Sequence, residues 1–361
     1  MKSGWRWGVL AAGVAALLAV PSVVAALPVG PTDVPPTELV RRVRASGVVG
    51  WSGYGESRGA VVLPDAQQLG DLPSLLSGTT RVRAWWRSTD EWRLDVLSLA
   101  SETDTATDPF GSWTYAAADD RVVRVVGRLP VHLPAAADLL APVLGRRLAG
   151  TPGTRLAALP ARRVAGVVAA GLRLLPVDPA ATTVDHVDLW AEPRTGLPLR
   201  VDVVARGQTA PSLSSVLLDL SLTRPSRART GFVPPDGSDA VVEQAPDLAA
   251  RIDQLFRFVL PPSLAGLART DPVRELAGGG IGTYGQGFGR LAVVPLPRRT
   301  ARTLVERLRG QAGRVDTPLV HALLVEAGSR AYLLAGPVPP AVLRAVGAEL
   351  VAHPPPRREQ P

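Results

Sequence analysis

The sequence predicts an α+β protein: a large antiparallel sheet, wet on one face and covered by helices on the other, followed by a smaller α/β unit. Three observations predict it. The first is the hairpin Thr79–Val96, in which Val82, Ala84 and Trp86 share one face while Arg81, Arg83 and Arg87 point the other way. Across the turn Ser88–Glu91, Trp92, Leu94 and Val96 alternate with Arg93 and Asp95. The second is Asp185–Trp190, which turns through Pro193–Gly196 into Leu197–Val203 with the same alternation. Period-two patterning of this length marks antiparallel strands with one solvated face. The third is Ala135–Leu148, where Leu139, Leu140, Val143, Leu144 and Leu148 fall at helical spacing. That helix supplies a cover for the sheet, and Pro142 should bend or split it.

The remaining elements follow along the chain. Thr37–Arg44 reads as a short helix ending near Gly47, and Val48–Leu63 as a long strand or hairpin interrupted by glycines. Pro64–Gly78 is a loop. Glu102–Asp108, Ser112–Tyr115 and Arg121–Val126 extend the first hairpin into a meander. After the helix, strands resume at Val164–Leu175, Val184–Trp190, Leu197–Ala205 and Leu213–Leu222. The Pro- and Gly-containing stretch Phe232–Gly237 ends the first domain, which spans 37–235. A second domain over 248–352 then begins with a helix at Leu248–Phe258. It continues with strands at Gly282–Gly285, Arg290–Pro295, Leu319–Glu326 and Arg330–Ala335, and with helices at Thr300–Arg309 and Pro340–Val351. The charged, proline-rich tail 353–361 is expected to be disordered.

Residues 1–26 stand apart. Lys2 and Arg6 precede a charge-free apolar run from Trp7 to Val24, and Val24-Ala25-Ala26 offers small residues before Leu27. This is the pattern of a cleaved export signal, with a retained N-terminal membrane anchor as the alternative. The chain of 361 residues contains no cysteine, so it has no disulfide, no thiolate metal ligand and no lipidated cysteine after the signal. Its formal charge is +8, and Lys2 is the only lysine. An arginine-rich exported protein is drawn weakly to anionic membrane surfaces; nucleic acid is not an expected partner.

Motifs of catalysis are missing or misleading. Gly280–Gly285 spells GxGxxG, but strand-like Arg290–Val294 follows where a dinucleotide site needs a helix, so these are turn glycines. His132, His186, His321 and His353 are the only histidines. His186 lies between Asp185 and Asp188 in a strand, where a lone His–Asp pair is structural, and no His-x-x-x-His zinc spacing exists. No cofactor, metal or enzymatic activity is expected.

The order of these features resembles the LolA-like superfamily, in particular the two-domain proteins related to the sigma-E regulator RseB (MucB). The resemblance rests on the export signal, the helix leading into a long first strand, and the Arg- and Trp-rich hairpin Thr79–Leu99. The Trp113–Tyr115 strand, the intervening helix, and Asp188-Leu189-Trp190 running to Thr195-Gly196-Leu197-Pro198-Leu199-Arg200 complete it. It covers roughly residues 37–235, and the added C-terminal domain fits the two-domain members. It implies a strongly curved sheet, an incompletely closed barrel with helices on its concave face, where members bind acyl chains or lipidated proteins. Regulatory members also bind the extracytoplasmic part of a membrane-anchored anti-sigma factor.

The expected binding surface is the apolar side of these elements: Val82, Trp86, Trp92, Leu94, Val96, Trp113, Leu140, Leu144, Leu199 and Val201. They line either a solid core or a cavity for an acyl chain. The expected function is that of an exported, non-enzymatic protein that senses a lipid or lipoprotein and regulates a membrane-anchored anti-sigma-type partner. A LolA-type lipid or lipoprotein carrier is the first alternative. An extracellular hydrolase is the second, disfavoured by the scarcity of histidine.

Overall fold

The computed structural model describes residues 32–59, 77–98, 101–127, 135–245, 258–270, 281–297, 313–328 and 330–356, with Gly30, Ala301 and Arg302. The expected export signal and the helices at 248–258 and 300–309 lie almost wholly outside these residues, as does most of the loop 64–78.

Helix α1 (Pro36–Ala45) starts on a proline, whose fixed φ suits the first helical turn. Its buried side carries Leu39, Val40 and Val43. On the exposed side Glu38 accepts from Arg41 and Arg42, and these hydrogen bonds draw its carboxyl down to about 2.

Twelve strands make the main sheet. They are β1 (Trp51–Gly59), β2 (Thr79–Ser88), β3 (Glu91–Leu97), β4 (Glu102–Asp108), β5 (Gly111–Ala116), β6 (Arg121–Val126), β7 (Thr154–Val164), β8 (Val167–Pro176), β9 (Val184–Ala191), β10 (Pro198–Ala205), β11 (Leu213–Ser221) and β12 (Asp239–Gln244). Their order across the sheet is β12-β6-β5-β4-β3-β2-β1-β11-β10-β9-β8-β7, so the sheet is curved but open, with β12 and β7 as its edges. The expected alternation of the first hairpin holds: Val82 faces Val96, Ala84 faces Leu94 and Trp86 faces Trp92.

Three features of this sheet depart from the sequence expectations. One strand was expected at Val164–Leu175; the chain instead forms the hairpin β7–β8. It turns through Ala165 and Gly166, both at positive φ, as a two-residue hairpin turn requires. Strand β7 escapes a pattern reading because Pro160 interrupts it and its register shifts between Leu159 and Arg162. The expected helix over 135–148 is two pieces, a 3-10 turn at Ala136–Leu139 and helix α2 (Ala141–Ala149). Pro142 sits in the first turn of α2, where it is tolerated, so it splits the segment rather than kinking it. Finally, the sheet extends past residue 235. After β11 the chain makes the short helix α3 (Arg227–Thr230), places Phe232 against Trp113 and Tyr115, and adds β12 parallel to β6.

A second sheet has the order β15-β16-β19-β18-β17, from β15 (Gly282–Tyr284), β16 (Leu291–Leu296), β17 (Arg314–Asp316), β18 (His321–Ala327) and β19 (Arg330–Gly336). The short hairpin β13 (Ser263–Leu264) and β14 (Leu267–Ala268) lies beside it. Helix α4 (Pro340–Ala352) packs on this sheet and buries Leu343, Val346 and Leu350 with Tyr284, Tyr332 and Leu334. The glycines of GxGxxG that are described run into β15, which pairs antiparallel with β16, so the segment is a sheet edge and not a strand–helix turn.

The two sheets meet at the β8–β9 connection. Thr182 donates its hydroxyl to the Phe288 and Pro337 carbonyls, and Thr183 donates to the Leu319 carbonyl at 2.5 Å. Phe288 and Leu319 complete the apolar cluster of the larger sheet, beside Leu174, Val184 and Val203.

Candidate functional site: the concave face

Because side chains alternate along each strand, the register assigns every predicted residue to a face. Trp51, Trp86 and Trp92 lie side by side across β1, β2 and β3. Their rings stack, with centroids 6.2 Å apart for Trp51–Trp86 and 5.7 Å for Trp86–Trp92. Val82, Ala84, Leu94 and Val96 share that face, and so, across β10, do Leu199 and Val201.

Both helices cover this face, and one turn docks them. Gly196, at φ +71°, comes so close to α1 that a Cβ there would lie 2.3 Å from the Arg42 carbonyl carbon. Arg42 donates to the Pro193 carbonyl from the other side. Two residues after Gly196, Pro198 abuts Gly145 of α2, where an added Cβ would meet the proline ring at 2.6 Å. Glu192 holds the turn by accepting from the Arg194 and Thr195 backbone and from the Thr195 hydroxyl. These hydrogen bonds keep its carboxyl below the usual range although burial opposes them. The Thr-Gly-Leu-Pro segment is therefore a helix-docking turn, and its two small or rigid residues set how near each helix lies to the sheet.

Under the helices, Val82, Trp86, Leu94, Leu140 and Leu199 are buried in one cluster with Trp51, Val143 and Leu217, and Trp92 and Val96 pack against it half-buried. Val201 belongs to the neighbouring cluster beneath α1, where it meets Leu39, Val40 and Leu189, and Leu144 packs on that same cluster. Trp113 is separated from all of these. It pairs with Ala106, in register with Arg93 and Trp85, and so points to the opposite, outer face. There it packs against the tilted ring of Phe232 and lies under the Arg124 guanidinium. The sequence reading missed this because strands β3 to β5 must be aligned before a tryptophan in β5 can be assigned a side. It also missed Trp51, whose flanking Gly50 and Gly53 hide the alternation of β1.

Solid core and cavity are both present, at different ends of the face. The end around Val82, Leu94, Leu140 and Leu199 is filled. Beyond Trp86 and Trp92, towards β4–β6, the strands carry Thr105, Thr107 and Ser112 in place of large apolar residues. Here a partly open cavity of about 480 Å³ remains, walled by Trp86, Trp92, Val125 and Val143 and rimmed by Asp108, Asp138, Arg146 and Arg147.

The charged outer face has its own cluster. Asp95, Glu102 and Asp104 bring carboxylate oxygens within 4.8 Å of one another. Arg93 bridges two of them, donating Nε to Asp95 at 2.9 Å and Nη2 to Asp104 at 2.8 Å. Burial, and then the Asp95 charge, push Asp104 up to about 6 despite that arginine. His186 sits 2.6 Å from Asp185, while Asp188 is engaged bidentately by Arg173. The arrangement is that of an ion-pair row on the outer face.

The sequence matches no family model and no curated protein. Among solved structures the chain is similar to MucB, with 17% identity, 88% of this chain and 98% of that one covered, and a TM-score of 0.46. It is also similar to the MucA/MucB complex of Pseudomonas aeruginosa, at 17% identity, 86% and 96% coverage and a TM-score of 0.47. A LolA superfamily protein from Nitrosomonas europaea matches over 55% of this chain and 97% of its own, at 12% identity and a TM-score of 0.24.

Proposed function

We propose that this is an extracytoplasmic, non-enzymatic binding protein that takes an acyl lipid or the lipid of a lipoprotein on the concave face and regulates a membrane-anchored anti-sigma-type partner. The observation that carries the lipid half is the tryptophan stack opening into the cavity of about 480 Å³. A pocket with apolar walls and a polar rim suits a chain whose head remains in water. The partner class comes from the resemblance in order between the hairpin Thr79–Leu99, the helix-docking turn and the two-domain regulators. No helix among the described residues is long and apolar enough to cross a membrane, so anchoring would fall to the partner or to the N-terminal segment.

Gentle isolation of the exported chain, followed by mass spectrometry of an organic extract, tests the lipid half. Stoichiometric lipid, or saturable binding of a fatty-acid probe, is expected; an empty protein that no probe saturates would exclude it. The carrier reading differs in one respect. A carrier releases its lipid to an acceptor membrane and needs no second protein, whereas a regulator must be recovered with a membrane protein after cross-linking in cells. The Thr182 and Thr183 hydrogen bonds that seat the second domain favour the regulator, because a shuttle has no need of that domain.

A further inference from the structure

Two cavities share Val143, Arg146 and Arg147 of α2. One is the apolar cavity beyond Trp86 and Trp92. The other, of about 430 Å³, is lined by Arg44, Val143, Arg146, Arg147 and Gly150, with no carboxylate among those residues. Three carboxylates, Asp90, Asp108 and Asp138, also line the apolar cavity. Asp138 accepts from Arg147 at 2.8 Å and from the Ala135 amide, Asp108 accepts from Arg124, and Arg44 donates to the Ala149 carbonyl. The Arg146 side chain has neither an ion pair nor a hydrogen bond among the described residues, and its guanidinium lies over Gly47 in a half-buried residue. Burial and the like charge of Arg147 lower its pKa from the ordinary value, which marks a cation without a compensating anion. A half-buried charge left so is costly, and an anion placed against it recovers that cost.

We propose that Arg146 is the headgroup-selecting residue of the concave face, so that the preferred ligand is an anionic amphiphile: one acyl chain in the cavity against Trp86 and Trp92, and a phosphate or carboxylate on Arg146 at its mouth. This deepens the lipid-binding reading and rests on it. The planar guanidinium can hold a phosphate through two parallel N–H bonds, with the unpaired side of the neighbouring cavity left open to water. A plain structural role exists for comparison, since a basic residue in the last turn of α2 complements the helix dipole. That role predicts an effect on stability and none on ligand choice.

The test is titration calorimetry of the full chain with 1-oleoyl lysophosphatidate and with 1-oleoylglycerol, below their aggregation concentrations, and with inorganic phosphate. The phosphate-bearing lipid should bind about tenfold or more tightly than the neutral one, the scale of a charge-assisted hydrogen bond. Arg146→Gln should abolish that preference, by weakening binding of the phosphate-bearing lipid. Arg146→Lys keeps the charge but not the fork and should retain part of the preference; it also decides the matter if the glutamine variant does not fold. Equal affinity of the two lipids, or a preference that survives in Arg146→Gln, would overturn the role of Arg146 while leaving the lipid cavity standing. Inorganic phosphate binding as tightly as the lipid would reduce the site to a bare anion site and overturn it too. If neither lipid binds the unmodified chain, the cavity reading itself fails.

Discussion

Asp104 contributes a pH dependence to this fold at the residue scale. Its folded pKa, about 6, lies above the ordinary carboxylate value because burial and Asp95 disfavour its charge. The folded chain therefore holds that proton more tightly than the unfolded chain. Stability contributed by the protonated group is present below pH about 4 and is lost as pH rises to about 6, by up to about 3 kcal/mol. Asp104→Asn removes this loss, so urea titrations should show the variant gaining on the parent by about 1–3 kcal/mol between pH 4.5 and 7.5. A gap that stays constant over that range would mean Asp104 ionises normally. On the acid side the sign reverses: Glu38, Asp108 and Glu192 have depressed values, and the stability they contribute is lost as pH falls through them. Gly145 is the second sensitive residue. A methyl group there would meet Pro198 at 2.6 Å and Leu189 at 3.0 Å. Gly145→Ala, normally favourable in a helix, should instead cost about 1–3 kcal/mol by overpacking, read as a lower thermal midpoint.

At the scale of elements, the concave face divides into a filled end and an open end, and substitutions on β3 and β6 should tell them apart. Leu94 is 2% exposed and surrounded by Val82, Trp86 and Leu140. Leu94→Ala should cost about 2–5 kcal/mol through the void it leaves, without changing the affinity of a fatty-acid probe. Val125 is half-buried on the cavity wall. Val125→Ala should cost no more than about 1 kcal/mol and should shift probe affinity instead. If Leu94→Ala proves nearly neutral, the end of the face called filled here has room in it. Threonines at 105 and 107 explain why the open end exists: they occupy the inward positions of β4, where the partner strand β3 carries Leu94 and Trp92.

For the whole molecule, the seam between the two sheets combines hydrogen bonds from Thr182 and Thr183 with the apolar contacts of Phe288 and Leu319. The Thr183 hydroxyl donates to the Leu319 carbonyl, and both lie out of solvent. Thr183→Val keeps the shape but leaves that carbonyl without its donor, at a cost of about 1–3 kcal/mol. Calorimetry should then show the second sheet melting earlier than, and apart from, the first. One unsplit transition at an unchanged midpoint would show that the seam does not depend on this bond. At the other edge, β12 covers β6, so a chain ended at Ala245 should be more stable than one ended at Gly237, which would expose β6 as an edge.

Much of this was legible in the chain itself. Period-two alternation in Val82–Trp86, Trp92–Val96 and Leu197–Val203 determined which residues face inward, because a strand offers a side chain only two directions. The helical spacing of Leu139, Leu140, Val143 and Leu144, and the interruption at Pro142, likewise depend on local geometry alone. What lay beyond the sequence depends on pairing between distant strands. The side taken by Trp113, the parallel addition of β12, the hairpin β7–β8 with its register shift, and the open cavity beside Arg146 each follow from how strands align and what packs across them. A cavity is space that no local pattern encodes, and an arginine is unpaired only with respect to neighbours that the tertiary structure brings near or keeps away.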